Sequence, residues 1–268
     1  MELSAVIITY NEARRLSPTL AALSPVVDEI VIVDSGSTDD TREVALQFEK
    51  VRWYERPFRG YGDQKNYANS LARGRYILSI DADEVLSPEL QESILREKGG
   101  WRAAAYEVLR VAVYCGAFIR AGEWYPDWKI RLFARELAFW DDAPVHEKLI
   151  LRKSVRPLRL SGELWHYTYA SIEESIERSR RYAYRMAVAA YTQGKPASWR
   201  RPFLKGTVRF LKGWLLKGGW RLGWRGWAIS LLGAWTYFLR ELYLAQLYEQ
   251  GLKPETSSSL LNTKPEGG

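Results

Sequence analysis

The sequence predicts an α/β protein, in which a mostly parallel sheet is followed by a helical C-terminal segment. Three observations predict this fold class. Short apolar runs alternate with helix-like segments over the first hundred residues, which is the spacing of βαβ units. Carboxylates follow several of these runs, at the strand ends where open α/β sheets bind ligands. Residues 195–250 hold ten Lys or Arg, two acids and six of the 12 Trp.

The predicted elements follow one another in a regular order. The strands are expected at 3–10, 29–34, 51–55 and 75–80, and the helices at 17–24, 37–49 and 62–74. Ser17 suits an N-cap and Pro18 suits the first helical position of the first helix. A further helix is expected to begin at Ser87, again with a proline next in the chain. Strands and helices that alternate in this way predict parallel pairing.

Composition excludes several classes of protein. The hydrophobic fraction of 47% is too high for a disordered chain. A single cysteine, Cys115, excludes an internal disulfide framework and a cysteine-rich metal site. The first four residues, Met-Glu-Leu-Ser, contain no basic residue. We therefore expect no cleavable signal peptide and a protein on the cytosolic side of the membrane.

The fourth predicted strand ends in an acidic group within "YILSIDADE", residues 76–84. Side chains two apart on an extended chain share one face, so Asp81 and Asp83 are expected to point into one crevice. These carboxylates, with Glu84 as a candidate third, suit a hard divalent cation that binds phosphate. A solvated acidic turn before the next helix is the plainer interpretation. A haloacid-dehalogenase-type phosphatase is an alternative, although its motif normally sits on the first strand.

Three fragments in order then point to a family. They are "VIITYNEARRL" (6–16), "EIVIVDSGSTDDT" (29–41) and "GYGDQKNYANSLARGRYILSIDADE" (60–84). Together they resemble the nucleotide-sugar-binding half of inverting family 2 glycosyltransferases, which have the GT-A fold, a Rossmann-like α/β architecture. "APVHEKL" (143–149) and "LWHYTY" (164–169) extend the resemblance to lipopolysaccharide core heptose glucosyltransferases. The resemblance implies a nucleoside diphosphate sugar as donor, such as UDP-glucose, and a lipid-linked glycan as acceptor, such as lipopolysaccharide core.

The resemblance also implies roles for individual residues. It assigns Asp83 of the DxD motif and His166 to a divalent metal, Mg²⁺ or Mn²⁺. It assigns the nucleotide sugar to Thr9, Tyr10, Glu12, Asp34, Lys65 and Asp81. Asp34 also suits a helix-capping turn, and both roles are compatible. The bound cation and Lys65 would together stabilise the departing nucleoside diphosphate.

An inverting transferase also needs a carboxylate that takes the proton from the attacking hydroxyl. The candidates lie in "FWDDAPVHEKL", residues 139–149, which also contains one of the chain's two histidines. The resemblance favours Glu147 as this base, with Asp142 as the second choice. The plainer interpretations are a surface ion pair for Glu147 and a capped turn for Asp142.

The C-terminal part is predicted to be helical and to contact a membrane. A helix is expected at 171–194, with Ser171 and Glu174 at capping-box spacing. Residues 195–250 carry a charge of +8, whereas the whole chain carries +7. Basic residues interleaved with tryptophan are typical of interfacial helices on anionic lipid. The longest uncharged run there has 14 residues, which is short of the about 20 that a membrane span needs.

These features predict peripheral attachment to the cytoplasmic face of the inner membrane. The predicted organisation is a catalytic domain at 1–170, a membrane-associating segment at 171–250 and a loose polar tail at 251–268. One alternative is a helical subdomain that packs its aromatic residues on the catalytic domain. Another is a nucleic-acid-binding module. Because no RNA- or DNA-binding motif is present, we expect no nucleic-acid partner.

Overall fold

The computed structural model describes residues 1–141, 148–152 and 154–251. Within these residues the chain forms two compact units. The first contains Met1–Val111 and Asp127–Tyr167, and the second contains Ala112–Pro126 and residues 168–251. The first unit combines a sheet with helices and the second is largely helical, which confirms the predicted α/β class with C-terminal helices.

The elements are numbered along the chain. The strands are β1 (Leu3–Thr9), β2 (Glu29–Asp34), β3 (Val51–Glu55), β4 (Tyr76–Ser79), β5 (Glu84–Leu86), β6 (Ala105–Tyr114), β7 (Ala117–Phe118), β8 (Asp127–Ala134), β9 (Ala138–Trp140), β10 (Leu149–Leu151) and β11 (Leu158–Tyr169). The α-helices are α1 (Ala13–Leu23), α2 (Thr41–Leu46), α3 (Tyr61–Leu71), α4 (Pro88–Lys98), α5 (Ile172–Thr192), α6 (Arg200–Leu211) and α7 (Trp224–Glu249). A π-helical turn, Lys212–Leu216, continues from α6.

The sheet of the first unit has a parallel half and an antiparallel half. Strands β3, β2, β1 and β4 lie side by side in that order and pair in parallel. The sheet continues through β8, β6, β11 and β5, with β4–β8, β8–β6 and β11–β5 antiparallel. Two apolar clusters cover the parallel half. Strands β1, β2 and β4 are buried on both faces and mostly apolar, whereas the edge strand β3 is only partly buried.

All three helices of the parallel half differ from their predicted bounds. Helix α3 ends at Leu71 and not at 74, because Ala72 already has an extended backbone. Helix α1 begins at Ala13 and contains Pro18 in its interior, so the prediction of a start at Ser17 is wrong. The backbone carbonyl of Glu12 accepts the first hydrogen bonds of the helix, and the turn before Ser17 buries Leu16. Helix α2 is shorter than predicted, because the residues before Thr41 form a hydrogen-bonded loop.

In the second unit, α5 and α7 bury a shared apolar cluster that includes Ala187, Val188 and Leu244. Helix α5 begins as predicted, since the Ser171 hydroxyl accepts a hydrogen bond from the Glu174 backbone N–H at 3.1 Å. Helix α7 has 26 residues. Among the helices of the described residues, none combines the length and the apolar character that crossing a bilayer requires.

Candidate active site

The ends of β1 and β2 are joined by hydrogen bonds to a buried carboxylate. Asp34 accepts hydrogen bonds from the Thr9 hydroxyl at 2.9 Å and from the backbone N–H groups of Gly36 and Ser37 at 2.7 Å each. Gly36 has a φ of +85°, which favours glycine. Thr9 and Asp34 therefore shape the loop that follows the two strands. Their predicted contact with the nucleotide stays a prediction.

The loop after β1 is bonded to the loop after β2. The Asn11 N–H donates to the Ser37 hydroxyl at 2.8 Å, and the Asn11 side-chain oxygen accepts from the Thr38 N–H at 2.8 Å. Asn11 has a φ of +55°, a left-handed conformation that asparagine tolerates. These bonds preorganise the short segment that carries Tyr10 and Glu12, which is predicted to hold the nucleoside.

A group of charges lies where β4 ends. Asp81 forms ion pairs with two basic side chains. Arg131 Nη2 lies 2.7 Å from Asp81 Oδ2, and Lys65 Nζ lies 3.3 Å from Asp81 Oδ1. Lys65 is 7% exposed, and its Nζ lies 4.4 Å from the ring centroid of Trp140. The Asn66 amide positions Trp140 by donating to its backbone carbonyl at 2.7 Å and accepting from its N–H at 2.8 Å. Helix α3 and strands β8 and β9 thus converge on Asp81.

The two basic side chains keep Asp81 ionised. Burial alone would raise the pKa of Asp81, but the Arg131 guanidinium, followed by the Lys65 ammonium, lowers it by more. The pKa of Asp81 consequently lies well below its usual value, with a further contribution from His166. Asp81 is thus a hydrogen-bond acceptor at neutral pH and cannot serve as a proton donor there.

Glu84 has a structural role. It is fully buried and ion-paired with Arg131, and Arg110 Nη1 lies 3.4 Å from its Oε1. One of its oxygens also accepts the Asp81 N–H at 3.1 Å. Glu84 therefore positions Arg131 and the Asp81 backbone. Because these contacts occupy its carboxylate, Glu84 is not available as the third metal ligand that the sequence suggested.

Asp83 and His166 form a second pair next to this group. His166 Nε2 lies 3.3 Å from Asp83 Oδ2, and the side chains are 20% and 13% exposed. The antiparallel β5–β11 pairing, in which His166 is opposite Glu84, brings the two residues together. The chain turns between Asp81 and Glu84, so the prediction of an extended backbone from Asp81 to Asp83 is wrong. The β5–β11 pairing also places His166 close enough to Asp81 to lower the pKa of Asp81.

The Asp83–His166 pair has two side chains of metal-binding types. The described residues contain no group of three or more His, Cys, Asp or Glu side chains that could hold an ion. Mg²⁺ commonly uses only one or two protein carboxylates together with water and substrate phosphates. The Asp83 carboxylate fits such a site, whereas the His166 imidazole, 3.3 Å from it, is a nitrogen ligand of the type that Mg²⁺ favours less than oxygen. The metal roles of Asp83 and His166 stay predictions.

Sequence analysis did not identify Arg131, Arg110 or Trp140 as parts of this site. Arg131 lies between Ile130 and Leu132 in β8, and its side chain is 5% exposed. A lone arginine inside an apolar run was the available signal, because a buried charge requires a partner. Glu147 and Asp142, the predicted bases, lie outside the described residues.

The sequence matches a known protein family. The family model described as "Glycosyl transferase family 2" matches residues 4–156, more than half of the chain. The chain belongs to glycosyltransferase family 2. This membership and the parallel order β3-β2-β1-β4 confirm the predicted GT-A fold class and the predicted transferase class. The phosphatase and nucleic-acid alternatives do not agree with it.

Relatives match the glycosyltransferase over nearly its whole length. An uncharacterized glycosyltransferase of Rickettsia typhi is 31% identical, and the alignment covers 94% of this chain and 88% of the relative. The lipopolysaccharide core biosynthesis glycosyltransferase LpsC of Rhizobium meliloti is 29% identical over 97% of this chain and 98% of LpsC. The crystal structure of S. aureus TarS 1–349 with UDP covers 94% of this chain and 92% of that chain. Its TM-score of 0.44 at 14% identity is too low to support an inference.

Proposed function

We propose that this glycosyltransferase inverts the configuration at the anomeric carbon as it transfers a sugar from a UDP-sugar, such as UDP-glucose. The acceptor in this proposal is a lipid-linked glycan such as lipopolysaccharide core. The observation that carries the proposal is the arrangement of Lys65, Asp81 and Arg131 beside the Asp83–His166 pair. The likeness to LpsC over nearly the full length of both chains supports this class of acceptor.

In this proposal the charged group serves the donor. Negative charge grows on the diphosphate as the sugar leaves, and preorganised positive charge stabilises that change. Lys65 supplies an ammonium that Asp81 and the Trp140 ring already hold in place, so little side-chain entropy remains to be lost. Asp81 would accept a hydrogen bond from the ribose. Asp83 and His166 would hold Mg²⁺ or Mn²⁺, which when bound neutralises diphosphate charge.

The donor assignment is tested by thermal unfolding with a set of nucleotide sugars, with and without Mn²⁺ or Mg²⁺. A ligand that binds only the folded state raises the melting temperature. We expect a UDP-sugar with a divalent cation to give the largest rise. If no nucleotide sugar changes the melting temperature under either condition, the proposed donor class is wrong.

Asp83→Asn is expected to remove the metal-dependent part of nucleotide binding. The amide keeps the shape of the carboxylate but lacks its charge. Even outer-shell partners of a metal are worth about 10–100-fold in affinity, so the loss of a direct ligand should be at least this large. The measurement is UDP affinity at several Mn²⁺ concentrations. Glu89→Gln, an exposed carboxylate in the first turn of α4, is the control. An unchanged Mn²⁺ dependence in Asp83→Asn would show that Asp83 is no ligand.

The proposed site of action is the cytoplasmic face of the inner membrane, with peripheral attachment. Helix α6 and the turn that follows it expose a row of apolar side chains, which we call the α6 face: Leu204, Val208, Leu211 and Leu215. These positions follow the i, i+4, i+7, i+11 pattern of one helix face. Leu216 beside them is 84% exposed. An exposed apolar stripe within a basic segment suits an anionic lipid surface.

Replacing Leu204 and Leu216 together by glutamate should weaken binding to anionic vesicles by at least roughly 10-fold, because burying one leucine stabilises by about 1.5–3 kcal/mol. The two side chains are 71% and 84% exposed, so folding should be unaffected. Vesicle co-sedimentation measures the effect. Leu242→Glu, on α7 and 67% exposed, is the matched control. Equal sedimentation of all variants would place the attachment elsewhere or exclude it.

A further inference from the structure

The second unit contains a cavity of about 300 Å³ that none of the predicted sites includes. Its wall is built from the ends of β6 and β11 and from helices α5, α6 and α7. Three tyrosines and two arginines give the wall its chemical character: Tyr114, Tyr169, Tyr182, Arg178 and Arg209. Pockets that bind small molecules start at about 300 Å³, so this cavity has room for one small unit.

The aromatic side of the cavity is firmly packed. Tyr114 is fully buried, and its ring meets the ring of Tyr169 edge-on with centroids 5.9 Å apart. The Tyr114 hydroxyl lies 3.1 Å from the Ser175 hydroxyl. Aromatic rings beside fixed hydroxyls offer an apolar face and hydrogen-bond partners together. A pyranose ring has the matching surface, with C–H groups on its faces and hydroxyls around its edge.

The two arginines supply positively charged hydrogen-bond donors to the cavity wall. Arg178 lies 3.4 Å from Glu174, and Arg209 Nε lies 2.8 Å from Glu123. Both arginines line the cavity, whereas no carboxylate lines it within the described part of the chain. Each arginine is thus paired with one carboxylate that does not line the cavity. Because a guanidinium has five N–H groups, donors remain for a ligand. A guanidinium forms paired hydrogen bonds with phosphate or carboxylate.

A glycine allows Arg209 to occupy its position. A Cβ atom on Gly233 of α7 would lie 3.1 Å from Arg209 Nε and 3.5 Å from its Cζ. Such a contact is tighter than nine in ten real Cβ contacts, so alanine at this position would shift the guanidinium by a few tenths of an ångström. Gly233→Ala therefore changes the cavity without removing a charge.

We propose that this cavity binds an anionic sugar unit, a pyranose that carries a phosphate or a carboxylate. It thereby recognises one unit of the glycan acceptor, and the acceptor role rests on the function proposed above. Tyr169 and Tyr182, which are partly exposed, pack against the ring, and Arg178 and Arg209 bind the anionic group.

The test uses the full chain and four probes. Three are built on one hexose, namely glucose 6-phosphate, glucuronate and uncharged glucose, and the fourth is inorganic phosphate. Affinities are measured by titration calorimetry, with and without saturating UDP and Mn²⁺, so that donor-site binding is recognised. Arg178→Gln and Gly233→Ala alter the cavity. Arg180→Gln is the matched control, because Arg180 is an exposed arginine on the same helix that is also paired with a helix carboxylate, Glu177.

We expect at least one anionic sugar to bind roughly 10-fold or more tightly than glucose and than phosphate, with UDP present. Arg178→Gln should weaken it by about 10-fold or more, the value of one charge-assisted hydrogen bond. Gly233→Ala should weaken it by a smaller factor, and Arg180→Gln should leave it unchanged. The preferred probe identifies the anionic group. Three results would each overturn the inference. Glucose or phosphate binds as tightly as the anionic sugars, Arg178→Gln and Arg180→Gln have equal effects, or no probe binds.

The two proposals fail in different ways. If no nucleotide sugar binds, the proposed donor is wrong, but the hexose measurements still decide whether the cavity binds an anionic sugar. If UDP-sugar binding is normal and all four probes fail, only the cavity inference is wrong. Melting temperatures of Arg178→Gln and Gly233→Ala show whether each variant is folded.

Discussion

Arg131→Met is expected to lower the free energy of unfolding by about 3–5 kcal/mol, the usual cost of breaking a buried ion pair from one side. Arg131 is 5% exposed and contacts Glu84, which has no exposed surface. Its Nη2 also lies 2.7 Å from Asp81 Oδ2. Methionine retains the packing of the aliphatic stem but leaves Glu84 with Arg110 alone. The measurement is urea unfolding at neutral pH.

A surface arginine provides the comparison for this variant. Arg42 Nη1 lies 3.4 Å from Glu55, and the two side chains are 58% and 59% exposed. Arg42→Met should therefore change the free energy of unfolding by less than about 1 kcal/mol. Adding Glu84→Gln to Arg131→Met should recover part of the loss, because the uncompensated charge is then removed. A loss below about 1 kcal/mol in Arg131→Met would contradict the buried role of this cluster.

The parallel half of the sheet was predictable because its signal is local. Strands β1, β2, β3 and β4 appear within about a residue of the predicted bounds. For β1, β2 and β4 the signal is a nearly continuous apolar run, as in buried parallel strands. The start of α1 was not predictable in the same way. Ser17 and Pro18 form a capping signature, yet the turn before them buries Leu16 and stays helical. Burial in the tertiary structure outweighed the local preference.

The antiparallel half was harder to predict because its strands carry charges. β6 and β8 contain Arg110 and Arg131, which interrupt the apolar pattern. Their partners, Glu84 and Asp81, lie far away in the sequence, so no local pattern connects them. The pairing is visible only once the sheet brings the strands together.

The candidate site was predicted in part. The family resemblance selected Lys65 and Asp81, and the structure places them 3.3 Å apart. It also selected Asp83 and His166, which lie 3.3 Å apart although the sequence alone could not show that His166 reaches the site. Arg131 and Trp140 were missed because their role depends on contacts across the sheet and not on a motif.

Glu147→Gln is expected to lower kcat by roughly 10²- to 10⁴-fold, the usual contribution of a general base. Glutamine keeps the shape of the side chain but cannot take the proton from the acceptor hydroxyl. Glu147 directly precedes Lys148, whose N–H donates to Asp141 Oδ1 at 2.7 Å. Trp140, the residue before Asp141, packs on the Lys65 ammonium beside Asp81. The described residues that flank this segment, Asp141 and Lys148, are therefore hydrogen-bonded to each other, and Trp140 beside them contacts Lys65.

The assignment is decided by measuring Glu147→Gln and Asp142→Asn side by side. Each variant is assayed for the transfer rate to acceptor, and for UDP-sugar affinity by titration. Affinity for the donor should barely change in Glu147→Gln, because the base contacts the acceptor and not the donor. Since the second variant removes a charge from the same segment, it controls for a general electrostatic effect. If Asp142→Asn is folded and inactive while Glu147→Gln transfers sugar at a near-normal rate, the base is Asp142.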